Sequence, residues 1–63
     1  METYYKKRIA EYTKAAQDLE LKAEKEMREG SGAQAMEYCK QADMNKAEAT
    51  KYREALDMLE KVA

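Results

Sequence analysis

Apolar side chains recur along this chain at alternating intervals of four and three residues. Tyr5, Ile9, Tyr12, Ala16, Leu19 and Ala23 form one series. Ala35, Tyr38, Ala42, Asn45, Ala49, Tyr52, Leu56, Leu59 and Ala63 form a second, with Asn45 its one polar member. A helix turns every 3.6 residues, so this alternation keeps one face of each segment apolar along its whole length. Two such faces joined by a short turn predict an all-α fold, an antiparallel coiled-coil hairpin.

The turn is marked by Glu29-Gly30-Ser31-Gly32, which holds both glycines of the chain. Either side of it is built from strong helix formers: Ala, Glu, Lys, Gln, Met, Leu and Arg. Gly30 suits the left-handed residue that closes a helix. Ser31 and Gln34 have the spacing of a capping box, and Arg28 complements the negative end of the helix dipole before it. The predicted organisation is one domain over 1–63: helix 1 over 3–29, the turn over 29–32 and helix 2 over 32–62. Folding there sets Leu19 near Ala42, Tyr12 near Ala49, Ile9 near Tyr52 and Tyr5 near Leu56, with Asn45 opposite Ala16.

A second apolar group falls outside this seam. Leu21, Met27, Met36, Cys39, Ala55, Met58 and Val62 flank it, and two helices cannot bury both lines. Of 28 apolar residues 11 are alanine, and the large aliphatics are only Ile9, Leu19, Leu21, Leu56, Leu59 and Val62. A lone core of this size rarely supplies more than about 3–5 kcal/mol. The flanking residues are therefore the candidate partner-binding surface. The expected partner is a second copy, giving a dimeric four-helix bundle, or a helical surface of another protein. Methionine suits such a surface, because it fills irregular gaps without demanding one geometry.

Candidate chemistry changes this picture little. The chain has no histidine and one cysteine, which excludes cysteine–histidine zinc sites and histidine acid–base catalysis. Cys39 has only Lys40 beside it as an activating base. Asp18, Glu20, Glu24 and Glu26 are numerous enough to suggest a carboxylate metal site, but bundle sites of that kind also use Glu-x-x-His. Several acids instead precede bases by four residues, as in Glu2–Lys6, Asp18–Lys22, Glu24–Arg28 and Asp57–Lys61, the spacing of ordinary helix-face pairs. No glycine-rich phosphate loop follows a strand. The expectation is a non-enzymatic protein–protein interaction module: a small helical adaptor, co-chaperone or inhibitor with no cofactor, metal or small-molecule substrate.

Thirteen acids against twelve bases give a net charge of −1, without the basic surplus of a dedicated nucleic-acid binder. The strongest contrary signal is Tyr4-Tyr5-Lys6-Lys7-Arg8, where aromatics beside bases can stack on bases and neutralise phosphates. Tyr4, Lys6, Lys7 and Arg8 therefore carry the second reading, an RNA- or DNA-binding bundle. No apolar run reaches the roughly 20 residues of a membrane span, and no apolar core follows the basic start as in a secretory signal. A single thiol is easiest to keep reduced in the cytoplasm, the expected location.

Three resemblances add to this reading. Gly30, then Ala35-Met36-Glu37-Tyr38, then Ala42-Asp43-Met44-Asn45-Lys46-Ala47-Glu48-Ala49 resembles part of a tetratricopeptide repeat. That resemblance implies a three-helix unit with a break near residue 44, although Met44 stands where the repeat has proline. Tyr4 to Arg8 on a helical hairpin is similar in architecture to the repressor-of-primer bundles, dimers of two-helix hairpins that bind RNA. Met27-Arg28-Glu29-Gly30 followed by Tyr38 is similar in spacing to the helical-hairpin co-chaperones of type III secretion needles. That likeness implies an apolar face offered to a tetratricopeptide partner.

Overall fold

The computed structural model describes residues 1–62, all but the last position of the second apolar series, Ala63. Two helices, α1 (Glu2–Arg28) and α2 (Gly32–Val62), pack side by side as a helical hairpin. Its Cα extents are 50 × 14 × 10 Å, a rod one helix pair thick. The three-helix alternative is not adopted. α2 runs unbroken through Met44 and Asn45, because Met44 has a main-chain N–H to donate where a proline would have none.

Helix α1 ends on three main-chain hydrogen bonds. Glu29 N–H donates to the Lys25 carbonyl at 3.1 Å, Gly30 N–H to Met27 at 3.2 Å and Ser31 N–H to Glu26 at 2.8 Å. The last two, with Gly30 at φ +85°, make a Schellman stop in which the left-handed residue turns the chain out of the helix. Ser31 then opens α2 through its carbonyl, which accepts from Ala35 N–H at 3.0 Å. Among the described residues no side-chain hydrogen bond links Ser31 and Gln34, so the expected capping box does not form. Of the four expected helix-face pairs, Asp57–Lys61 is present at 3.1 Å. Arg8–Glu11 and Lys51–Glu48 pair instead at i,i+3.

The interface is a ladder of small residues. Ala16 and Ala23 of α1 and Ala35, Ala42 and Ala49 of α2 are the buried core, while Tyr5, Ile9, Tyr12, Leu19, Tyr38, Asn45, Tyr52 and Leu56 are half-buried. Leu59 is 36% exposed, because the seam frays at the open end. Each series thus faces the other as its spacing predicts, down to the last turn of α2. Among the described residues Asn45 finds no partner across the seam; its Nδ2 donates to the Gln41 carbonyl of its own helix at 2.9 Å.

Contacts along one edge fix the register. Thr13, Glu20 and Met27 stand seven apart on α1, and Cys39, Lys46 and Arg53 stand seven apart on α2. Run antiparallel, they pair as Arg53 Nη2 donating to Thr13 Oγ1 at 3.2 Å and Lys46 Nζ with Glu20 Oε1 at 2.6 Å. Met27 and Cys39, the third pair, line the same surface depressions. The Tyr52 ring lies between those of Tyr5 and Tyr12, one turn to either side of Ile9, the level at which the folding argument sets it.

Candidate docking surfaces

The flanking apolar residues do not form one line. A residue on the Cys39, Lys46, Arg53 row and one on the Glu48, Ala55, Val62 row lie on opposite sides of the Ala49–Tyr52 seam. The structure therefore gathers Met27, Met36 and Cys39 near the turn on one edge. It sets Ala55, Met58 and Val62 near the open end on the other. Leu21, two residues from both Leu19 and Ala23 of the seam, stands alone on the outer face of α1. Ala55 is half-buried and the other six are exposed.

The turn-end group lines a broad, shallow concavity. Two adjoining shallow depressions, about 490 and 720 Å³, share Met27 and Cys39 as lining residues. Ala23 and Ala35 line their floor, and Ala33 and Met36 extend the apolar wall. Met27 is 64% exposed and Met36 74%, so each keeps most of its thioether chain in water. Glu24 and Arg28 edge the groove on α1, with Glu37, Lys40 and Asp43 on α2.

The proposed nucleic-acid residues are divided. Tyr4 and Arg8 are drawn into a cluster that sequence spacing identified only in part. The Arg8 guanidinium lies 5.8 Å from the Tyr4 ring centre and 5.6 Å from that of Tyr12, and Nη1 pairs with Glu11 at 3.1 Å. Polar contact with the Tyr52 hydroxyl first, then with Glu11 and Tyr4, raises the Arg8 pKa above its already high ordinary value. The Tyr52 phenol is also raised, chiefly by its hydrogen bond to Tyr4, while Arg8 pulls it the other way. Lys6 and Lys7 remain exposed, and among the described residues neither forms an ion pair. Tyr12, Tyr52 and Glu11 are the members not foreseen. The signal for Tyr12 was present, since Tyr4, Arg8 and Tyr12 follow one another at intervals of four on a single helical ridge.

Other chemistry is sparse on this surface. Among the described residues no group of three or more His, Cys, Asp or Glu side chains could hold a metal ion. No described helix is long and apolar enough to cross a membrane. No known protein family, characterised protein or solved structure matches the chain.

Proposed function

We propose that this chain is a non-enzymatic interaction module that docks protein surfaces through the apolar groove at its turn end. The observation that carries the reading is an inversion of the usual burial. Among the described residues only alanines are buried, while Met27 and Met36 stand in water around a concave surface. A buried methyl contributes about 0.8 kcal/mol, so five alanines supply about 4 kcal/mol together. The larger apolar groups thus hold most of the binding energy this chain has left to use.

The RNA-binding reading stands second. It needs Tyr4 and Arg8 available to stack and neutralise, and both are engaged with Tyr12, Tyr52 and Glu11. Affinity capture from the source cell, with and without nuclease, separates the two. Protein capture that survives nuclease and falls with Met27→Glu and Met36→Glu supports the docking reading. Capture that is lost with nuclease, or with Lys6→Gln and Lys7→Gln, overturns it in favour of nucleic acid.

A further inference from the structure

We propose that the tyrosine cluster at the open end is a site of oxidative coupling, where a peroxide-driven one-electron oxidant joins Tyr4 of α1 to Tyr52 of α2 by a carbon–carbon bond. The bond staples the hairpin at the end opposite its turn. The site lies at the other end of the rod from the docking groove and does not depend on it.

Four of the chain's five tyrosines meet at this end, and the Tyr52 ring of α2 lies against all three of the α1 rings. Oxidised phenols couple at the ring carbons beside the hydroxyl, so the favoured pair is the one whose hydroxyls approach. Tyr4 and Tyr52 are that pair. Their rings meet edge to face, with centres 6.2 Å apart, and polar contact between their phenols raises the Tyr52 pKa. Tyr12 instead stacks on Tyr52 face to face, inclined by 16°. Tyr4 is also 50% exposed, open to an oxidant, and stands in the first turn of α1. The N–H groups of that turn lack intrahelical partners, so the small approach the new bond requires costs little there. Tyr38, the fifth tyrosine, has Lys22 over its ring at 6.0 Å, and among the described residues no aromatic ring meets it.

In the coupling step each phenol gives up one electron and its hydroxyl proton, which leaves two phenoxyl radicals. These pair as a bond between one carbon beside each oxygen. The hydrogen on each of those carbons then moves to the adjacent oxygen and restores both phenols. A haem peroxidase is the class of oxidant required: the two electrons and two protons reduce one peroxide to two waters. The staple closes a loop that spans most of the chain, and so removes freedom from the unfolded state. It does so near the end where the seam frays and Leu59 is 36% exposed, so the closure falls where packing is thin.

The test treats the full chain in dilute solution with horseradish peroxidase and limiting hydrogen peroxide. Cys39 is alkylated first, so that its exposed thiol does not consume the oxidant. Dityrosine fluorescence, intact mass and tryptic digestion with fragmentation read the product. The expected product is a single chain lighter by two hydrogens, with the peptide Met1–Lys6 joined through Tyr4 to Tyr52-Arg53. Its yield per chain should survive dilution of about tenfold, because both rings belong to one molecule. Its Tm should exceed that of the untreated chain by about 10 °C or more. Tyr52→Phe should abolish the link between the helices and Tyr4→Phe should reduce it, whereas Tyr5→Phe and Tyr38→Phe leave it intact. Phenylalanine keeps each ring in place, so these losses read the phenol and not the packing. In urea, where the cluster is dispersed, the yield within one chain should fall severalfold. Coupling that gives only covalent dimers, that joins Tyr4 to Tyr5 within α1, or that proceeds equally well in urea overturns the proposal. A stapled chain with an unchanged Tm overturns it too.

Discussion

Tyr12 of α1 and Tyr52 of α2 stack across the hairpin, their ring centres 5.8 Å apart and their planes inclined by 16°. Among the described residues this contact lies just beyond Ala49, the last buried alanine of α2 toward the open end. Tyr52 also meets Tyr4 at 6.2 Å in an edge-on arrangement and Tyr5 at 5.9 Å. One ring on α2 therefore ties together three on α1. Tyr52→Ala should lower the urea midpoint more than truncation of any of those three partners singly. Aromatic pairs add stabilisation beyond the area they bury, and Tyr52 belongs to three of them. Equal effects for Tyr4→Ala and Tyr52→Ala would show that the cluster has no centre.

The same cluster makes stability depend on alkaline pH. Hydrogen bonding to Tyr4 holds the folded-state Tyr52 phenol above its ordinary value of 10.0. The folded chain therefore keeps that proton more tightly than the unfolded chain does. The contribution is present in full below the unfolded value and is lost as pH rises through the folded one. Lys46, raised by its partner Glu20, has the same sign in the same range. Helicity followed by circular dichroism should hold through neutral pH and begin to fall only above about pH 10. In Tyr52→Phe the part of that fall which tracks tyrosinate absorbance should be smaller. An unchanged profile would sever Tyr52 from the transition.

Which features were legible beforehand depended on how far a side chain reaches. The alanine ladder and the level of Tyr52 follow from spacing alone, because a methyl touches only what lies directly opposite. The partners of the Tyr52 ring do not, since a tyrosine spans more than a helical turn and can pass its nearest neighbour, Ile9. The flanking residues show a second limit. Met36 and Met58 lie similarly far from the seam, and distance from the seam does not say on which side. That separation appears only when the rows of seven are tied to the cross-helix contacts Thr13–Arg53 and Glu20–Lys46. Ser31 shows a third: its spacing to Gln34 allowed a side-chain cap, while the main chain of the Schellman turn had already set the path into α2.

The alanine ladder is the part of the interface least able to accept growth. Ala42 is 1% exposed, with the facing helix packed over it. Ala42→Leu forces extra methylenes into a closed seam and should destabilise by about 1–3 kcal/mol. The exposed Ala47→Leu should leave stability within about 0.5 kcal/mol, as ordinary surface substitutions do. Paired urea titrations check both. A neutral Ala42→Leu would mean that the two helices separate there at little cost.

Asn45 occupies a seam position without using it for pairing. Its amide returns to the Gln41 carbonyl, which already belongs to the helix ladder, so no acceptor across the interface depends on it. Asn45→Ala should therefore leave stability unchanged or raise it by about 0.5 kcal/mol, alanine being the better helix former. A loss of more than about 1 kcal/mol, the size of one net hydrogen bond, would reveal a register-setting contact.

The two glycines of the turn perform different work, and substitution should separate them. Gly30 has φ +85°, a conformation that costs an L-residue about 1 kcal/mol or more, and it donates the Met27 hydrogen bond of the Schellman stop. A Cβ built at Gly30 meets nothing within 4 Å, so the cost of Gly30→Ala lies in the backbone rather than in a clash. Gly32 also has open space around it but is already the first residue of α2. There alanine removes unfolded-state freedom and favours helix, so Gly32→Ala should stabilise by about 0.4–1 kcal/mol. Thermal melts of the two single variants should move in opposite directions. With both glycines replaced, no residue that favours the stop remains. The chain should then straighten through the turn into one long helix and recover its interface by exchanging α2 with another copy. Sedimentation would show this as a dimer that persists when Met36→Glu is added, because a swapped pair is held by the alanine ladder.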